Sequence, residues 1–219
     1  MNYRELLDIA SRYTPGYEVY DLATSMIARH GLDSEEAIAG IFTLLFCWNK
    51  DFYRKRTFSE MDGHIRAFRR FICEEKELIL RFRSQRLEEV DFTDAADGTT
   101  KGDIIRRLFD KLQSFLGLVG ASKVLHVLLP DLIVMWDNRI ITHYKVPRNV
   151  HGFLEFQKKM KMELEEAIDS YAREHQVGRE EAVRRMLQER YGEKLRPLTK
   201  LLDEYNWVIT RPWKRSPRQ

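Results

Sequence analysis

The chain has 219 residues, 43% hydrophobic and 32% charged, with a net charge of +3 and a pI near 8.8. That is enough apolar material for a sizeable core, and the longest apolar run falls far short of the roughly 20 residues that span a bilayer. The N-terminal stretch MNYRELLDIASRY has no secretory core, and two cysteines without a CxxC pair argue against a disulfide framework, a zinc knuckle or a cysteine-held cluster.

These features lead us to expect a soluble, cytoplasmic protein without a membrane partner, a metal or a cofactor. Cys47 and Cys73 sit in apolar helical patterns and are expected as buried thiols. The mild basicity permits nucleic-acid binding without requiring it.

In chain order the rhythm is helical. DSEEAIAGIFTLLFCW opens on Asp33 with Glu36 three residues on, an Asp version of the capping box, and places Ile38, Ile41, Leu45 and Trp48 on one face. NKDFYRKRT follows, interleaving Lys50, Arg54, Lys55 and Arg56 with Phe52 and Tyr53, a pattern suited either to phosphate contact or to an ordinary solvated helix end. A stripe of Met61, Ile65, Phe68, Ile72, Ile79 and Phe82 predicts a long helix with Ser59 at its cap. Residues 91–103 are polar and aperiodic and read as an exposed loop. IIRRLFDKLQSFLG then buries Ile105, Leu108, Leu112 and Phe115.

LIVMW (132–136) is the one strand-like run, and a lone strand makes no sheet, so it reads as a buried extended linker. Phe153, Phe156, Met160, Leu164 and Ile168 mark a further helix. REEAVRRMLQERY and RPLTKLLDEYN mark two more, before the basic tail RPWKRSPRQ. The expected fold is all-α, about nine helices in a single domain over 1–219, with a subdivision at 148/149 left open.

Chemistry concentrates in GLVGASKVLHVLLPDLIVMWDNRI (117–140). Lys123 stands at an expected helix start among apolar residues, where burial and the helix dipole would both favour a neutral, nucleophilic amine. The alternative is a lysine whose stem alone is buried. Asp137 is placed to cap the next helix, and a capped carboxylate beside Trp136 could also face a cleft and stabilise positive charge. His126, three residues after Lys123, could tune it or be a bonded core histidine. No P-loop, dinucleotide glycine pattern, GxSxG elbow or HExxH occurs.

In its order of elements this segment resembles the helix-hairpin-helix DNA glycosylase superfamily: DIIRRLFDKLQSFLG, the hairpin GLVG, ASKVLHVLL with its lysine, PDLIVMW, then the helix-capping aspartate of DNRIITHY. The two hairpin glycines stand further apart than in the family, and the lysine falls one position later. The resemblance implies a DNA repair glycosylase with abasic-site lyase activity acting on damaged duplex. Lys123 would be its Schiff-base nucleophile and Asp137 its charge stabiliser. It also implies backbone contacts from Asn49, Lys50, Arg54, Lys55, Gly117 and Gly120, and a base pocket walled by Trp48, Phe52 and Trp136. The rival reading is a non-catalytic helical nucleic-acid-binding or protein-interaction protein, in which Lys123 and Asp137 are structural.

Overall fold

The structure is a computed structural model that describes residues 1–96, 98–194 and 196–211. The residues of the basic tail beyond 211 lie outside the described residues. The fold is all-α, with ten helices among the described residues. They are α1 (Tyr3–Ser11), α2 (Glu18–His30), α3 (Glu35–Trp48), α4 (Lys50–Tyr53), α5 (Phe58–Phe82), α6 (Lys101–Leu128), α7 (Asn138–Tyr144), α8 (Val150–His175), α9 (Arg179–Tyr191) and α10 (Leu198–Ile209). Short α4 carries too few apolar repeats for periodicity to register it, whereas α7 stands where the capping aspartate Asp137 placed it.

Helix starts differ from the sequence expectation by one or two residues. Ser34, not Asp33, caps α3 by accepting from the Ala37 N–H, and Asp33 pairs instead with Lys76 at 2.8 Å. Thr57, not Ser59, caps α5 in a capping box with Glu60. The expected loop 91–103 ends early, because Thr100 caps α6. Before that cap the chain forms a minimal antiparallel hairpin, β1 (Ala95–Ala96) and β2 (Thr99–Thr100), with Ala95 opposite Thr100. Polar residues that favour caps cluster at each of these starts, so the pattern identifies the region and local hydrogen bonding selects the residue.

The apolar stripes converge on one continuous core running from Tyr3 in α1 to Tyr205 in α10. Phe109 and Phe153 stack at 3.9 Å between ring centres, and Trp136 meets both edge-on. Buried Glu75 of α5 binds Arg107 and Lys111 of α6 at 2.9 and 2.7 Å, tying those two helices. Cys47 and Cys73 are exposed free thiols, contrary to the sequence expectation. Each lies within an apolar stretch but off the face that packs. None of the described helices is long and apolar enough to cross a membrane.

Residues 133–137 form the buried extended linker that the lone strand-like run suggested. Its backbone has no neighbouring strand, so side chains satisfy it. The Gln157 carboxamide of α8 accepts from the Val134 N–H at 2.8 Å and donates to the Val134 carbonyl at 2.9 Å. Ser122 donates to the Trp136 carbonyl, and His126 Nδ1–H donates to that of Ile133 at 2.5 Å. Buried polar residues on α6 and α8 are thus the means by which an unpaired strand is kept in the core. The segment delivers Asp137 to the start of α7.

Candidate functional site

A cleft of about 740 Å³ opens where five parts of the chain meet, the first being the α1–α2 connection with Tyr13 and Pro15. The end of α3 and the start of α4 supply Trp48, Asn49 and Lys50, and α6 supplies Val119 and Lys123. The linker and α7 supply Asp137 and Arg139, and the C-terminal helix region supplies Asp203, Trp207 and Arg211.

Lys123 lies well inside a helix. Within α6 only Gly117 is non-helical, at φ 68° and ψ 169°, and helical geometry resumes after it. Lys123 is therefore in the second turn beyond the kink, past the reach of a helix N-terminal dipole. Its surface is partly open to the cleft, but its amine is deep and donates to the Trp48 carbonyl, one of the carbonyls left free at the end of α3. Burial pushes the amine down to about 8, against the pull of Asp137 and Asp203 and with the help of Arg211 and Lys200. The depression has the direction expected from sequence, and of the two expected sources, burial and the helix dipole, burial is the one that acts.

Asp137 caps α7 by accepting from the Arg139 and Ile140 N–H groups at 2.9 and 3.0 Å through one oxygen. Its other oxygen takes Arg211 at 2.7 Å. Burial alone would raise this carboxyl, but the Ile140 and Arg139 amides and the Arg211 guanidinium outweigh it and hold it below the usual range. Lys123 and Asp137 thus line one cleft with separate hydrogen-bond partners: an amine whose hold on its proton is weakened and a fixed anion.

The other expected residues divide. Trp48, Asn49 and Lys50 line the cleft, and Trp48 stacks parallel to Tyr20 at 6.1 Å. Trp136 contributes to the lining but is 1% exposed, with its ring in the core and its indole N–H donating to the Leu118 carbonyl at 3.2 Å. Phe52 is outside the lining and lies under the Arg56 guanidinium at 4.2 Å. Arg54 and Lys55 are exposed beyond α4. Gly117 and Gly120 do not form an open hairpin. A Cβ on Gly117 would meet the Phe52 ring at 3.2 Å, and one on Gly120 would meet the Asn49 amide at 3.2 Å. Both glycines serve close packing of α6 against the α3–α4 joint. His126 faces the core, between Ile133 and the Tyr20 hydroxyl at 3.1 Å. Burial brings its imidazole down to about 4, so it is neutral.

Sequence reasoning missed the wall supplied by the C-terminal helix. Lys200 is fully buried, pairs with Asp203 at 2.6 Å, and lies 4.4 Å from the Tyr13 ring centre and 5.3 Å from that of Trp48. Lys200, Asp203, Trp207 and Arg211 recur at spacings of three, four and four, one helical stripe. That spacing was available in the sequence, but nothing local marks it as a site until α10 packs against α1 and α8. Among the described residues no group of three His, Cys, Asp or Glu side chains could hold a metal ion. No family model, curated protein or solved structure matches the chain.

Proposed function

We propose that this protein is a DNA repair glycosylase with an abasic-site lyase step, using Lys123 as nucleophile and Asp137 as the fixed negative charge. One observation carries the reading: an amine that burial brings to about 8 shares a cleft with a carboxylate held ionised. A purely structural pair would gain by forming a direct ion pair. Here the carboxylate is secured by a helix cap and an arginine, and the amine is left to lose its proton far more readily than an exposed lysine.

In this reading a damaged nucleotide leaves the stack and enters the cleft. The volume lies within the range of small-molecule sites, and Trp48 offers an aromatic wall. As the bond from C1′ to the base lengthens, positive charge grows on the sugar, and Asp137 stabilises it. The base departs with the bonding electrons and takes up a proton. The Lys123 nitrogen bonds to C1′ and gives up a proton. Ring opening then breaks the C1′–O4′ bond, protonates O4′ and leaves an imine between lysine and sugar. Lys50 and Arg139 on the cleft rim, with Lys55 beyond α4, supply cationic contacts for the phosphates on either side.

Duplexes carrying oxidised, deaminated or abasic sites, treated with borohydride in the presence of the protein, are expected to give a covalent protein–DNA band. Lys123→Ala abolishes it and Lys123→Arg does not restore it, because arginine stays protonated. The hydrogen bond from Lys123 to the Trp48 carbonyl favours the second reading, a non-catalytic nucleic-acid-binding protein in which that lysine ties α6 to α3. Neither base release nor trapping across the lesion panel would select it.

A further inference from the structure

A second place in the molecule gathers polar atoms that its own packing does not satisfy. Among the described residues five buried side-chain atoms have no hydrogen-bond partner, and three of them, Tyr53 Oη, Arg56 Nε and His64 Nδ1, belong to one corner between α4 and α5. Tyr53 is 6% exposed. Its ring centre lies 5.9 Å from that of His64, and the Phe52 ring lies 5.8 Å from His64 and 4.2 Å beneath the Arg56 guanidinium. Three unsatisfied polar groups in one neighbourhood are unusual, since buried polar atoms are normally paired.

Their chemistry is one-sided. A phenol hydroxyl and an arginine Nε–H both donate, and an imidazole Nδ1 donates when it carries the proton. The remaining charged neighbours are already engaged: Glu60 takes the Thr57 N–H at 2.7 Å and Arg56 Nη1 at 3.2 Å. Exposed Lys50, Arg54 and Lys55 follow one another just outside the corner. A cationic ligand would leave these donors unmet, whereas a tetrahedral oxyanion accepts from all of them and meets the positive charge of the Arg56 guanidinium.

We propose that Tyr53, Arg56 and His64, none of which lines the Lys123–Asp137 cleft, form a separate binding site for a phosphate-type oxyanion. The site stands on its own atoms. Naming a nucleic-acid phosphodiester as the natural source of the anion rests on the glycosylase reading, in which a strand crosses α4 with one nucleotide in the cleft and a flanking phosphate here.

Burial and the Arg56 guanidinium hold the His64 imidazole below its usual range, with Glu60 pulling the other way. A bound phosphate adds negative charge beside the ring and reverses that balance. Titrating the full chain with inorganic phosphate, followed by the His64 imidazole signals in heteronuclear NMR, is expected to shift those signals saturably and to raise the pH at which the ring protonates. Tyr53→Phe, which keeps the ring packed on Phe46 at 4.8 Å, and His64→Gln should each weaken phosphate about tenfold, read from the backbone amide signals of α4 and α5, with unchanged circular dichroism melts as the folding control. No saturable shift would overturn the site and leave a corner that is only hydrated. Wild-type affinity in both variants would overturn it as well. Phosphate binding without duplex binding would uphold the anion site and count against the glycosylase reading. Borohydride trapping at Lys123 without phosphate binding would do the reverse.

Discussion

Burying the Lys123 amine works against folding, and that makes the residue diagnostic. Its folded value, about 8, lies below the usual 10.5, so between those limits the unfolded chain binds the extra proton. Stability is therefore lowest below pH 8 and rises as the pH climbs towards 10.5. The whole difference is on the order of 3 kcal/mol. Lys123→Met keeps the volume of the stem and removes the charge, so it should raise the thermal midpoint at pH 7. A lysine present only to hold Trp48 would give the opposite result, because the Trp48 carbonyl would lose its donor. His126 follows the same sign rule in acid. Its folded value of about 4 lies below the usual 6.5, so its contribution is complete above pH 6.5 and is lost as the pH falls towards 4. Denaturant midpoints should drop over that window, while the imidazole signal reports no protonation until about pH 4. At Asp137 the cap and the charge separate cleanly. Asn caps a helix about as well as Asp, so Asp137→Asn should melt within about 1 kcal/mol of the wild type, apart from the loss of the Arg211 pair, yet lose most base release. Full activity in that variant would remove Asp137 from the chemistry.

The extended segment is the element on which the site depends. Its apolar run was legible in the sequence as a buried linker, because five successive apolar residues without helical spacing and without a partner strand admit little else. What holds it was not legible. Gln157 lies 23 residues away on α8, and nothing in local spacing marks one buried glutamine among the polar residues of an amphipathic helix. Gln157→Leu would leave the buried N–H and C=O of Val134 unpaired, and should cost on the order of 3 kcal/mol and loosen Asp137. Base release should fall further than stability alone explains, as read from activity at a temperature where the variant is still folded. The kink in α6 has the same character. Gly117 was visible as a break, but its role was read as a hairpin. Its φ of 68° with ψ of 169° is a conformation almost confined to glycine, and Gly117→Ala should cost about 1–3 kcal/mol, more if the Phe52 ring cannot yield.

Across the whole molecule the cleft is assembled from segments as distant as Tyr13 and Arg211, and this explains how much of the site could be read in advance. Lys123 and Asp137 stood out because each was a lone charge in an apolar stretch. Tyr13, Asp203, Trp207 and Arg211 did not, because their environment is created only when α10 packs against α1 and α8. The same assembly fixes the charge pattern. Arg211 is committed to Asp137 and Lys200 to Asp203, whereas Lys50, Lys55 and Arg139 are exposed and without an acidic partner among the described residues. A net charge of +3 is too small to bind duplex indiscriminately, so any affinity must come from this local surplus. Each phosphate neutralised releases counterions, and the logarithm of the binding constant falls against that of the salt concentration by roughly 0.9 per contact. Alanine at Lys50, Lys55 and Arg139 should therefore flatten the salt slope by close to that amount per residue, with no change in thermal midpoint beyond about 0.5 kcal/mol each, the range for exposed sites. Fluorescence anisotropy of a labelled abasic duplex over a salt series reads the slope directly. An affinity indifferent to salt, or a slope unmoved by the triple variant, would mean that DNA does not lie across this face, and the cleft would have to be assigned to another substrate.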